Sequence, residues 1–100
     1  MAKSDATSEL MVGKRIEIIR QMFGYGSQKA FCDEFSISAS RYNNWIKGVR
    51  RPAIDEGIKI CEKFNLSLDF LYRGELKSVD YDLGKALKEA LDVIQTPERQ

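Results

Sequence analysis

One hundred residues, 43% of them hydrophobic, suffice for one small domain with a single modest core, which leaves no room for a wide catalytic cleft between domains. The formal net charge of +1 conceals a division: residues 14–52 carry eight bases and three acids, a net +5, whereas residues 53–100 carry seven bases and ten acids, a net −3. Two cysteines, no histidine and no Cys-x-x-Cys pair argue against a disulfide framework and a zinc site, and no apolar run approaches membrane-spanning length, so a cytoplasmic protein is expected.

Residues 1–7 are small and polar and read as a disordered tail. Ser8 caps a first helix whose inward positions, Val12, Ile16, Ile19 and Phe23, follow helical spacing until Gly24 and Gly26 end it. Ser27 caps a second helix with Ala30, Phe31, Cys32 and Phe35 on its apolar side. Ser36-Ile37-Ser38 forms a short turn, with Ile37 plugging the corner. Ser38 then caps a third helix that Gly48 terminates in the left-handed conformation.

After the basic loop Val49-Arg50-Arg51, the ring of Pro52 suits the first turn of a fourth helix that carries Ile54, Ile58, Cys61 and Phe64 inward. Asn65 ends it, and Ser67 caps a short fifth helix holding Leu68, Phe70 and Leu71 before Gly74. Residues 75–79 connect to a last amphipathic helix. Asp80 caps it, and Leu83, Ala86, Leu87, Ala90, Leu91 and Ile94 share one of its faces until Thr96-Pro97 breaks it. No segment alternates as a strand does, so the expected fold is all-α.

The third helix carries the functional signal. On a helical wheel Tyr42, Trp45 and Ile46 cluster on one side as core anchors, while Ser40, Asn44 and Lys47 lie opposite, flanked by Arg41 and Asn43, with Ala39 in the first turn. Those exposed residue types suit the edges of bases in a major groove. Asn donates and accepts against adenine, Arg forks onto guanine, Ala meets a thymine methyl and Ser bonds to several edges. Ser40 or Lys47 alone reads better as an ordinary solvated surface. Two adjacent Asn residues do not, because they are poor helix formers and give an exposed helix little stability. Gln28 and Lys29 at the start of the second helix, Ser38 at the cap of the third, and Lys47, Arg50 and Arg51 after it are candidate phosphate contacts. Trp45, Phe31 and Phe35 fit core packing better than base stacking.

The stretch from Ser27-Gln28 through Phe31, Ser38, Trp45 and Gly48 to Pro52 resembles the helix-turn-helix of the Cro and phage-repressor (lambda-repressor-like) family, and Ser67 to Gly74 resembles that family's closing helix. The resemblance covers about residues 10–74. It implies a five-helix domain binding operator DNA, commonly as a dimer, with the third helix in the major groove. It places Ala39, Ser40 and Asn44 at base-reading positions with Arg41 and Asn43 in support, and Gln28 on the backbone or an adjacent base. The chain departs from the pattern in several places. Cys32 replaces a usual Ala, Ser36 a usual turn Gly and Tyr42 a small aliphatic whose place in the core obliges the phenol to find a partner. Gly26 looks inserted. The acid that often pairs with the arginine matching Arg20 is Ile46 here, so Arg20 must pair elsewhere or face solvent.

The expected organisation is therefore a tail over 1–7, a DNA-binding domain over 8–76, and a helix over 77–100 that either covers its own core or pairs with a second chain, with dimerisation slightly preferred. The leading function is a sequence-specific transcriptional regulator of the phage or prophage repressor kind, partnered by double-stranded DNA and a second copy of itself. The alternative is an antitoxin-like or other protein-interaction module on the same fold, using the C-terminal helix. An enzyme ranks third, since no His, no nucleophile–base pairing and no phosphate-cradling Gly loop is present, and no cofactor is implied.

Overall fold

The computed structural model describes residues 6–95, which form six helices and no strand: α1 (Glu9–Met22), α2 (Gln28–Phe35), α3 (Ala39–Ile46), α4 (Ile54–Phe64), α5 (Leu68–Arg73) and α6 (Tyr81–Gln95). Four serines start four of them by one mechanism. Ser8, Ser27, Ser38 and Ser67 are extended, and each hydroxyl accepts a hydrogen bond from the backbone N–H three residues on. Helix ends are equally local: Gly48, Asn65 and Gly74 all turn left-handed just past a helix. Ser36 does the same at φ 56° and ψ 48°, a conformation that costs a residue with a Cβ on the order of a kcal/mol.

The core gathers Val12, Ile16 and Ile19 of α1, Phe31 of α2, Tyr42 and Trp45 of α3, Ile60 of α4, Phe70 and Leu71 of α5 and Leu87 of α6, all essentially inaccessible to solvent. Ile37 fills the corner between α2 and α3 as expected. Phe23 and Phe64 stack at 4.3 Å between centroids, and Tyr25 meets Phe31 edge-on at 5.4 Å, so aromatic rings close the side formed by α2 and α4.

Four expectations need correction. Pro52 precedes the N-cap, Ala53, and so lies outside the first turn of α4, where its carbonyl accepts from the Tyr72 hydroxyl at 2.9 Å. The inward face of α4 is Gly57, Ile60 and Cys61 with Phe64 alongside, whereas Ile54 and Ile58 are exposed. A Cβ on Gly57 would collide with the Tyr72 ring, so α4 turns its glycine, not its first isoleucines, to the neighbour. Ala30 and Ala86 face solvent. The end of the expected tail is held, because the Ala6 carbonyl accepts from Arg15 at 2.6 Å and the Thr7 carbonyl from Arg51 at 3.1 Å. Residues 1–5, the side chain of Ile94 and the Thr96-Pro97 break lie outside the described residues.

α6 packs on its own domain. Leu87 and Leu91 are buried against the core and α6 touches α1, with Asp80 accepting from the Leu83 N–H at 3.4 Å. Beside it Arg15, only 2% exposed, donates to the Leu71 carbonyl at 3.1 Å and to Ala6, while its Nε has no partner among the described residues.

The most extensive contact between helices joins α1 to α3. At its centre is Gly13, buried, where a Cβ would sink into the Trp45 carbonyl oxygen and lie 3.0 Å from the Ile46 Cα. Backbone, not side chain, is what a larger residue would strike, so neither helix can yield by a rotamer change. Gly13→Ala is expected to destabilise the fold by about 1–3 kcal/mol, the usual cost of overpacking, read as a lower urea midpoint. Ser36→Gly should act oppositely, stabilising by about 0.5–1 kcal/mol because relief of the left-handed cost exceeds the entropy glycine adds to the unfolded chain; an unchanged midpoint would contradict it.

Candidate nucleic-acid interface

α2, the turn at Ser36 and α3 form two short helices joined by three residues, with Phe31, Cys32, Ile37, Tyr42 and Trp45 turned inward. What α3 leaves outside follows from that anchoring. Ala39, Ser40, Arg41, Asn43 and Lys47 are exposed, and Asn44 is half-buried. The Asn44 carbonyl accepts the Val49 N–H at 2.9 Å, so this residue also closes the turn after α3. At the cap, Ser38 accepts from the Arg41 N–H at 3.1 Å, which occupies an acceptor and leaves its own proton to donate. Gln28 and Lys29 are exposed on the first turn of α2.

Of the basic residues singled out in the sequence, three are held by carboxylates. Lys29 pairs with Asp33 at 2.9 Å. Arg41 pairs with Glu56 of α4 at 2.7 Å. Arg51 turns toward the start of α1, pairing with Glu9 at 3.0 Å and donating to the Thr7 carbonyl through both Nε and a terminal nitrogen. Arg50 and Lys47 are exposed and make no ion pair among the described residues. Arg41, Arg50 and Arg51 rim an open concavity of about 570 Å³ between α3 and the start of α4, with Asp55 and Glu56 beside them.

Sequence reasoning missed the residue that ties this surface together, Glu17. Its carboxylate, on α1, accepts from Arg20 at 2.9 Å, from the Tyr42 hydroxyl at 2.6 Å and from the Gln28 amide at 3.2 Å. One carboxylate thus joins α1, α2 and α3. It answers both open questions of the sequence: Arg20 finds its acid one turn earlier on its own helix, and also donates to the Tyr25 carbonyl at 2.7 Å, while the Tyr42 phenol finds an acceptor. Burial alone would raise the Glu17 carboxyl, but the hydrogen bonds from Arg20 and Tyr42 outweigh it and hold the group below its ordinary value. Burial and the bond to Glu17 push the Tyr42 phenol well up, so it stays protonated and donates. The pairing of Glu17 with Arg20 at i, i+3 was the one signal in the sequence; the separations to Gln28 and Tyr42 carry none. Cys32 sits buried under the α2–α3 corner, where burial raises its thiol.

The helix-turn-helix domain model matches residues 13–77, nearly two-thirds of the chain. The chain belongs to the helix-turn-helix domain family. Its matched span opens at Gly13, the point of contact with α3, and closes after α5, leaving α6 outside. The chain is also similar to the HTH-type transcriptional regulator ImmR of Bacillus subtilis (strain 168), with 27% identity over 89 residues that cover 86% of this chain and 69% of that protein. No solved structure matches it. The surface described above, from Gln28 to Arg51, lies within the matched span. No described helix is long and apolar enough to cross a membrane.

Because Glu17 is depressed in the fold, its contribution to stability is complete above its ordinary value near 4.5 and disappears as pH falls through the lower folded value. Glu17→Gln should cost about 1–2 kcal/mol at pH 7. The gap between wild type and variant should narrow steadily below pH 4.5 in urea titrations; a gap independent of pH would show that the charge is irrelevant.

Proposed function

We propose that this protein is a sequence-specific DNA-binding transcriptional regulator of the phage-repressor kind, with α3 lying in the major groove. The observation that carries the reading is the division of α3. Tyr42 and Trp45 are sunk in the core, and the helix is left with a solvent face of Ala39, Ser40, Arg41 and Asn43, beside Asn44 and followed by the exposed C-cap Lys47. That face holds no large apolar group to bury against a protein and several groups that match base edges. Gln28, Lys29, Ser38, Lys47 and Arg50 surround it with donors for phosphates, and the first turn of α2 contributes free backbone N–H groups. Lys29, paired with Asp33, and Arg51, turned toward Glu9, contribute their full charge to this ring only by releasing those pairs. The name of the related Bacillus regulator agrees with this class.

A single module of this size contacts few base pairs, and two copies on a pseudo-palindromic operator double the contacts, with half-sites about one helical turn apart. Since Leu87 and Leu91 of α6 are already taken up by the chain's own core, a second copy or another protein meeting α6 would use its outer side, where Tyr81 and Val93 are exposed. An interaction module is the second reading, favoured by that same outer side.

Selection from random duplexes, with solution mass measured alongside, tests the proposal: a palindromic motif and a dimer mass are expected, and failure to enrich any sequence at moderate salt sinks it. On the selected site Asn44→Ala should relax base choice by about 1–3 kcal/mol at one position. Arg50→Ala should weaken all duplexes alike and flatten the salt dependence by about one unit of slope.

A further inference from the structure

Glu56 stands on a different helix from every group placed at the base edges, yet its carboxylate is shared between two tasks. Oε1 accepts from the Ala53 N–H at 3.3 Å, the backbone group that precedes α4. Oε2 accepts from a terminal nitrogen of Arg41 at 2.7 Å. The carboxylate sits three residues into α4, where the helix N-terminus favours negative charge and the bond to Ala53 fixes its orientation. Its side chain is 20% exposed, and that of Arg41 50% exposed. An exposed ion pair adds little to folding stability. The pair does, however, restrict the guanidinium, whose Nε and second terminal nitrogen keep no partner among the described residues.

We infer that Glu56 is a positioning residue for Arg41, one that makes this arginine a reader of a neutral base edge and disfavours it as a grip on phosphate. This rests on the base-reading role of α3 proposed above. Two physical effects act together. Holding the guanidinium at one terminal nitrogen removes rotamer freedom before DNA arrives, so less is lost when the remaining N–H groups meet an acceptor of fixed geometry such as guanine O6 and N7. The fixed carboxylate also cancels the arginine's charge toward anything outside. A phosphate brought to Arg41 comes within a Debye length of Glu56 and is repelled, whereas a base edge is uncharged. The pair therefore adds directional hydrogen bonds without adding to the counterion release that drives binding to any duplex.

Three variants separate these effects: Arg41→Ala, Glu56→Gln and Glu56→Asp, each assayed on the selected site, on its single-base variants and on random duplex over a salt series. Arg41→Ala identifies the base position that Arg41 reads. Glu56→Gln keeps an acceptor for Ala53 but loses the charge. It should bind random duplex more tightly, steepen the slope of log K against log salt by about 0.9, and lose about three- to tenfold of the discrimination at that same position. Glu56→Asp keeps the charge but falls short of Arg41, so discrimination should fall while the salt slope stays as in the wild type. A purely structural role predicts none of this pattern. Equal losses on specific and random duplex, or no change on either, overturn the inference. If Arg41→Ala leaves every base preference intact, the base-reading assignment of Arg41 itself fails, a result distinct from a failure of Glu56 alone.

Discussion

The close approach of α1 and α3 at Gly13 is the constraint on which the other features depend. An α-helix presents a groove only as deep as its side chains allow, and here the backbone of α3 at Trp45 and Ile46 lies directly on that of α1. Distance sets orientation: with Trp45 and Tyr42 both below the surface, α3 has no rotation that exposes a different face. The polar side is therefore outside because the apolar side is pinned. Interiors packed at crystal-like density leave little room for slippage.

Charge is managed by the same principle of fixed neighbours. The basic stretch carries a net +5 in sequence, but Arg20, Lys29, Arg41 and Arg51 each meet a carboxylate at 3.0 Å or less. Half the bases of that stretch are thus answered locally. Two of the carboxylates, Glu9 and Glu56, come from outside it, one from each flank. The field of this face is accordingly milder than its composition suggests.

Much of the fold was legible because it is written within a few residues. The four serine caps, the left-handed Gly48, Asn65 and Gly74, and the burial of Tyr42 and Trp45 all follow from local stereochemistry and helical period. The inward face of α4 was not, because Gly57 registers as a gap in a hydrophobic pattern although it is the residue Tyr72 packs against. A count of apolar spacing favours Ile54 and Ile58; close approach favours the residue with no side chain. The site divides in the same way. The exposed face of α3 could be read from a wheel, but Glu17 and Glu56 could not, since they act across 25 and 15 residues of chain and each looks like an ordinary surface acid in sequence.

Arg15 has a bearing on how this molecule comes apart. Its guanidinium bonds the Leu71 carbonyl near the end of α5 and the Ala6 carbonyl before α1, bringing the two ends of the α1–α5 segment under one side chain. Losing either bond leaves a further donor of a buried cation unmet, beside an Nε that has no partner among the described residues. Fraying from one extremity is thereby penalised at the other. The ends of a small helical domain are ordinarily its first parts to exchange amide protons, independently of each other. Here one side chain bonds both the entry to α1 and the end of α5, so the opening of one bears on the other.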